Sequence, residues 1–274
     1  MRKQASEYLE LMEKFQITPN FWCSGEYFQK ADLETIVYDS GNVGVEEVLE
    51  EGNRYAIFPR MHPKRGLLQE PPYWSDFPET SNKAGKLVFL DYEFLYNPNN
   101  FLNMSGGQWQ VFRKNCRKFP NRRPPGSLHY VNVKAMDDPK RVKEALYNWL
   151  SAITEETVVQ DHEVLFRYVY EGENRKVLMD TDLKIIYGLN IWDENYKFIN
   201  YRYCFCGREN FLSEYMRWLF YTDSEILNKN KLVNDGGTLD SPALFDFKNK
   251  LNPVSVRRVY SSYLLKEGET HGQT

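Results

Sequence analysis

The residues best suited to chemistry lie in the last third of the chain. Asn234 and Asp235 stand in the run Asn234-Asp235-Gly236-Gly237, where asparagine, aspartate and glycine favour turns and left-handed backbone. A carboxylate at Asp235 would take the proton of an attacking amine or hydroxyl, with Asn234 as a polar positioner. Upstream, Phe198, Asn200, Arg202, Cys204 and Cys206 alternate with Ile199, Tyr201, Tyr203 and Phe205. On an extended strand that spacing sends the first set to one face and the second set to the other. The second set reads as core. The first is polar enough either to line a cleft or to face solvent, and its cysteines are candidate nucleophiles. A third group, Arg113, Lys114, Arg117, Lys118, Arg122 and Arg123, is a run of six cations with no acidic residue between them. It is either a solvated helix face whose charge complements the helix C-terminus, or an electrostatic site for a phosphate-bearing ligand.

These residues need elements to hold them. Leu232 and Val233 end a strand before the turn. Ser241 is an N-cap and Pro242 the first helical residue, where a missing N–H costs nothing. Leu244, Phe247 and Leu251 share one helical face, and Asn252-Pro253 ends the helix. Ser105 is expected to cap a helix running to about Phe119, with Trp109, Phe112, Cys116 and Phe119 as its stripe. Pro124-Pro125-Gly126 breaks the chain and suggests two lobes, 1–125 and 126–266, with a polar tail at 267–274. In the first lobe a short helix at 6–15 precedes strands at 34–39, 43–49, 54–59 and 86–96. A proline-rich loop fills 61–81. The second lobe reads as a strand at 129–133, a long helix from Pro139, and strands at 163–170, 176–179, 184–192 and 197–206. A helix over 211–226, capped by Asn210, leads to the Leu232–Pro253 unit and a last strand at 258–265.

Composition narrows the class. A chain of 274 residues, 42% hydrophobic and 15% aromatic, buries a real core and is not disordered. No run approaches the roughly 18 apolar residues of a membrane span, and the amphipathic, acidic N-terminus is neither a signal nor a transit peptide, so a cytoplasmic protein is expected. The net charge of −3 points globally to neither nucleic acid nor membrane. Four cysteines without a secretion signal are simplest as free thiols. Cys204-x-Cys206 is not a zinc spacing and the four histidines are scattered, so no metal is expected.

The segment FLYNPNNFLNMSGGQWQVFRKNCRKF (94–119) resembles one in the C-terminal domain family of phosphatidylglycerol lysyltransferases. There a strand, a polar lead-in and a small-residue turn precede a basic helix. Asn234, Asp235, Leu244, Lys248 and Pro253 stand at places comparable to that family's second signature, and GNRYAIFP (52–59) is similar to its N-terminal lobe. The element order of the second half is also similar to the GNAT acyltransferase superfamily. The resemblance implies an α+β, GNAT-like fold, two lobes in tandem with mixed, mainly antiparallel sheets. Two neighbouring strands, 197–206 and 231–235, would splay around the donor's carbonyl.

It further implies transfer of an acyl or aminoacyl group from a coenzyme A thioester (acetyl-CoA or another acyl-CoA) or from an aminoacyl-tRNA to an amine or hydroxyl. The acceptor would be a small molecule, lipid headgroup or nucleotide. Asp235, Asn234 and Tyr260 (a general-acid tyrosine) would be catalytic, Cys204, Cys206, Gly207 and Arg208 would face the cofactor, and Arg202, Arg113, Lys114 and Arg117 the substrate. The alternative is a catalytically inactive binding module that uses the 113–123 surface for nucleic acid or another polyanion. One departure bears on the donor: the glycine-rich pyrophosphate loop is missing, and Cys206-Gly207-Arg208-Glu209 offers a single glycine.

Overall fold

A computed structural model describes residues 6–37, 41–48, 54–56, 61–67, 74–75, 85–136, 138–151, 162–180, 182, 185–238 and 241–264. The chain divides into two compact units, Met1–Glu93 with Arg257–Thr274, and Phe94–Val256. The expected boundary at 125/126 is therefore displaced. Pro124-Pro125-Gly126 turns the chain inside the second unit, because the basic helix before it packs on a helix that follows much later: Asn115 Nδ2 donates to Glu214 Oε1 (3.0 Å) and Phe119 stacks on Tyr215. The expected tail at 267–274 lies outside the described residues.

In the first unit, α1 (Ser6–Lys14) buries Tyr8 and Met12, spaced four apart on one helical face. Helix α2 (Gly25–Lys30) is capped by Ser24, whose Oγ accepts from Tyr27 N (3.0 Å). Strands β1 (Glu34–Val37) and β2 (Val43–Val48) form an antiparallel hairpin that brings Val37 opposite Val43, and Gly41 supplies the positive φ (78°) of its connection. Strand β3 (Arg54–Ala56) extends it. The stretch expected as one loop contains β4 (Met61–His62), β5 (Gly66–Leu67) and β6 (Trp74–Ser75); the rest of it lies outside the described residues. Strand β7 (Gly85–Tyr96) then carries the chain into the second unit.

That unit contains α3 (Asn100–Asn103), a 3-10 turn at Gly107–Trp109 leading into α4 (Gln110–Lys118), β8 (Leu128–Asn132), α5 (Lys140–Ser151) and α6 (His162–Glu171). It continues with β9 (Asn174–Asp180), β10 (Ile185–Glu194), β11 (Phe198–Cys206), α7 (Leu212–Tyr221), α8 (Ser224–Asn228), β12 (Leu232–Asn234) and α9 (Pro242–Lys250). Strand β13 (Ser255–Leu264) returns to the first unit, where Tyr260 and Ser261 pair with Ser75 and Trp74 of β6. Strands β8, β9, β10 and β11 are successively antiparallel. After the α7 crossover, β12 lies parallel to β11 and antiparallel to the end of β7. This is the expected α+β, GNAT-like order in a mixed, mainly antiparallel sheet.

Four local expectations change. Ser105 does not cap the helix that ends near Phe119: the 3-10 turn follows Gly106 and α4 follows Trp109, neither with a capping side chain. Residues 163–170 are helical, since Val164, Leu165, Tyr168 and Val169 are buried at helical spacing. The helix expected over 211–226 is two helices, parted at Thr222-Asp223, where Asp223 caps α8. The cap residue of α7 is Phe211, at φ 70° and with no capping side chain, in place of Asn210.

Helix α7 lies flat on β10 and β11. Tyr201 stacks on Phe220 with ring centroids 3.9 Å apart, and Trp192 meets the same ring edge-on. Gly188 allows this approach: a Cβ there would come within 2.6 Å of the Met216 Sδ. Because Met216 is fully buried, Gly188→Ala is expected to cost about 1–3 kcal/mol, read as a lower urea midpoint with unchanged m-value. Among the described residues, no helix is long and apolar enough to cross a membrane.

Candidate functional site

Strands β11 and β12 pair over only three steps, Phe198 with Leu232, Ile199 with Val233 and Asn200 with Asn234. Beyond Asn200, β11 runs on to Cys206 while the chain after β12 turns away at Asp235–Thr238. The turn is tied at each step. Asp235 N donates to Phe94 O (2.9 Å), Gly236 N donates to Asn234 Oδ1 (3.0 Å), and Phe94 N donates to Gly236 O (3.3 Å). Gly236 takes φ 61°, a left-handed conformation that glycine adopts without a Cβ penalty. Asn234 is thus the acceptor that closes the turn, and it is fully buried.

Asp235 is almost as buried, and its carboxylate sits between two cations. Oδ2 accepts from Arg217 Nη1 of α7 and from Tyr221 Oη (3.1 Å), and Oδ1 lies 3.3 Å from Lys248 Nζ of α9. Lys248 also donates to the carbonyls of Asp235, Gly236 (3.4 Å) and Gly237 (2.6 Å). One ammonium therefore gathers three successive carbonyls and holds the turn's shape. Tyr96 Oη donates to Lys248 O (2.7 Å), which fixes the end of α9. Burial first, then the Asp235 charge, pushes the hydroxyls of Tyr96 and Tyr221 well above the usual tyrosine range. They act here as hydrogen-bond donors, not proton sources. Arg217 is held charged by Asp235 despite its burial and lies over the rings of Tyr201 (5.4 Å) and Phe247 (5.2 Å).

The faces of β11 are not those that strict alternation predicts. The β10–β11 register shifts between Ile191, opposite Tyr203, and Trp192, opposite Tyr201, which leaves Arg202 as an extra residue. Such a bulge reverses the alternation beyond it. Before it, Asn200 Nδ2 donates to Asp193 Oδ1 (2.8 Å). At it, Arg202 Nε pairs with Asp193 Oδ2 (2.6 Å), the oxygen that also accepts from Tyr168 of α6. After it, Tyr203 and Phe205 point to the same helical layer, against Tyr168 and Trp149. Cys204 and Cys206 lie on the α7 side with Tyr201, packed against the core of Phe119, Leu178, Tyr187, Leu212 and Met216. Arg202, expected to meet a substrate, is instead a buried structural ion.

The basic helix is divided in use. Arg113 donates to the carbonyls of Met104 and Gly106 (3.3 Å to the latter), which secures the chain entering α4. Lys114 and Arg117 are exposed. The cations at the far end converge on the loop before α7: Lys118 Nζ lies 4.1 Å and the Arg122 guanidinium 5.2 Å from the centre of the Phe211 ring, and Arg123 pairs with Glu209. Gly207 N donates to Tyr187 O (2.9 Å), and Arg208 beside it is exposed. The N-terminus of α7, where free amides and the helix dipole favour anions, thus stands among Lys118, Arg122 and Arg123.

Of the residues singled out in the sequence, Asn234 and Asp235 meet at the parting of the strands, with Lys248 of the resembling signature. Cys204 and Cys206 lie further along the same edge. Arg113, Lys114 and Arg117 are on α4, away from the turn in sequence and element. Tyr260 is in β13, in the first unit, and its side chain lies outside the described residues. Arg217 and Tyr221 were missed. Their signal was present: they share the buried face of α7 with Leu212, Met216 and Phe220, and an arginine inside an apolar stripe asks for a buried carboxylate. Among the described residues, no group of three or more His, Cys, Asp or Glu is placed to hold a metal ion.

No family model matches the sequence, and no curated protein does. Solved structures match over nearly the whole chain. A conserved protein of unknown function from Bacteroides thetaiotaomicron matches with a TM-score of 0.66 at 13% identity, covering 89% of this chain and 90% of its own. L-PGS from Bacillus licheniformis matches with 0.62 at 11% identity, over 98% and 94%. A C-terminal domain described as that of a lysylphosphatidylglycerol synthetase, from Agrobacterium fabrum, matches with 0.58 at 11% identity, over 94% and 92%. The chain shares their fold, and the resemblance carried by 94–119 and 234–253 extends to the three-dimensional structure.

Proposed function

We propose that the chain is an acyl- or aminoacyltransferase that reacts its donor in the gap between β11 and β12. The observation that carries this is the parting of two parallel strands after Asn200 and Asn234, beyond which β11 no longer pairs with β12. A donor lying along that edge presents its carbonyl to backbone N–H groups, and fixed donors of this kind stabilise the oxyanion of acyl transfer. Asp235 fits a positioning role better than that of a base, since Arg217, Tyr221 and Lys248 all engage its carboxylate. The cations around the α7 N-terminus suit a phosphate-bearing donor. With a single glycine in the loop and Lys118, Arg122 and Arg123 supplied from the end of α4 and the turn after it, aminoacyl-tRNA fits that surface as well as a coenzyme A thioester. The likeness to a lysylphosphatidylglycerol synthetase domain supports the aminoacyl form.

The test incubates purified protein with acetyl-CoA, long-chain acyl-CoA or aminoacyl-tRNA and with amine, lipid-headgroup and nucleotide acceptors. Thiol release or tRNA deacylation is followed together with product mass. Acceptor-dependent turnover with one donor is expected; none with any donor overturns the reading, and salt-dependent polyanion binding without turnover selects the binding module. Lys118→Glu combined with Arg122→Glu is expected to weaken donor binding at least about tenfold, with a shallower salt dependence than the parent protein.

A further inference from the structure

One surface of the second unit has no part in the scheme above. No acidic residue stands between Glu93 and Asp137, and seven lysines and arginines do. Helix α4 lies in that stretch and buries Phe112 and Cys116. Away from them, Val111, Lys114 and Lys118 recur at three and four and form one row, with Arg117 beside it. Lys114 and Arg117 are exposed and enter no ion pair among the described residues. The acids that α7 and the loop before it bring to this helix are engaged. Glu209 pairs with Arg123, and Glu214 accepts from Asn115 Nδ2 (3.0 Å) and from Ser213 Oγ (3.0 Å).

The same face carries apolar side chains. Val111 at 69% and Leu102 of α3 at 51% are the two most exposed large hydrophobic side chains among the described residues. The turn that joins their helices is held from inside. Phe101 packs on Trp109 (4.9 Å between ring centroids) and Phe112 (5.9 Å), and Arg113 donates to the carbonyls of Met104 and Gly106.

We propose that this face docks the protein on an anionic lipid bilayer. Lys114 and Arg117 lie over the lipid phosphates, and Leu102 and Val111 enter the boundary between headgroups and acyl chains. Lys118 and Arg122, which turn to Phe211, are left to the donor, so the docking face and the transferase reading stand or fall separately.

The chemistry selects a membrane over the other polyanion that such a face could take. A single-stranded nucleic acid uses cations for its phosphates and aromatic rings for its bases, and the rings of α4 and of the turns at its two ends, Trp109, Phe112 and Phe119, are all buried. Bare aliphatic side chains beside cations do nothing for a phosphate backbone. At a membrane surface they leave water while the cations meet the negative surface potential. A merely solvated face mixes both signs of charge; this one carries a single sign.

The experiment sediments the intact protein with vesicles of phosphatidylcholine alone, and of phosphatidylcholine with phosphatidylserine at about 3:1, at low and at raised salt. Cosedimentation with the anionic vesicles, falling as salt rises, is expected. Lys114→Gln combined with Arg117→Gln is expected to weaken it about tenfold or more. Val111→Asn is expected to weaken it about threefold or more with the salt dependence of the parent protein, because it removes apolar contact and no charge. All three side chains are on the surface, and matched circular dichroism spectra check that the variants fold. The proteins are also titrated with a single-stranded RNA oligonucleotide. Absence of cosedimentation at low salt, equal binding to neutral vesicles, or binding by Val111→Asn as tight as the parent's overturns the proposal. RNA binding that Lys114→Gln with Arg117→Gln abolishes, in a protein that ignores anionic vesicles, overturns it too and gives the face to nucleic acid.

Discussion

Asp235→Ala is expected to destabilise the second unit by about 3–5 kcal/mol, the range for removing one partner of a buried ion pair. The loss comes from what remains. Arg217 and Lys248 stay buried without the carboxylate that neutralised them, and the Tyr221 hydroxyl loses its acceptor. For a domain of this size that corresponds to a fall in Tm of roughly 6–20 °C. Urea unfolding followed by tryptophan fluorescence measures it. Adding Arg217→Met to the same protein is expected to recover part of the loss, because the uncompensated guanidinium goes with its partner. Stability unchanged in Asp235→Ala would show that the cluster is not closed as described. Asp235→Asn separates charge from shape: Gly236 N still meets Asn234, so the turn is retained while the cations lose their counter-charge.

Asp193→Ala, in β10, is expected to cost a similar amount, about 3–5 kcal/mol, on the opposite face of the sheet. Asp193 and Arg202 have the least exposed side chains of the ion pairs described here, at 0% and 1%, and Tyr168 and Asn200 share that carboxylate. The two variants should part company in function. Loss of Asp235 reshapes the turn beside the candidate reaction centre, so transfer by the folded protein should fall. Loss of Asp193 leaves the α7 side of β11 in place, and transfer per folded molecule should hold. Equal losses of transfer at matched folded fraction would place the α6-side network within the reaction centre.

Much of this arrangement was legible in the chain. Ser241, Pro242 and the Asn234–Gly237 run specified a strand, turn and capped helix, because cap and turn chemistry is local and depends on few residues. The mixed sheet order followed from element order. Three things were hidden for physical reasons. The sequence HEVLFRYVYE (162–171) is rich in β-branched and aromatic residues, so its helical burial at 164, 165, 168 and 169 competed with strand propensity, and tertiary packing decided. The partnership of Arg217 with Asp235 joins elements separated by α8 and β12, and no local rule names the partner of a buried arginine. The division of the chain followed packing of α4 on α7 and not the prolines at 124 and 125, since a break in backbone hydrogen bonding is not a break in the core.

The bulge at Arg202 works as a change of phase. A strand read in twos delivers every second side chain to one face, and one extra residue exchanges the two faces for everything that follows. The same nine-residue strand therefore keeps its ions under α6 in its first half and its thiols under α7 in its second. Drawing Arg202 into the ladder, with the bulge lost, would send Cys204 and Cys206 towards α5 and α6 and drive Tyr203 and Phe205 under α7, whereas deleting Arg202 would remove the extra residue and leave those faces as they are. It is the sheet's counterpart of a reading-frame change, and it makes the register of this strand against β10, more than the identity of any one side chain in it, the quantity that the site cannot vary.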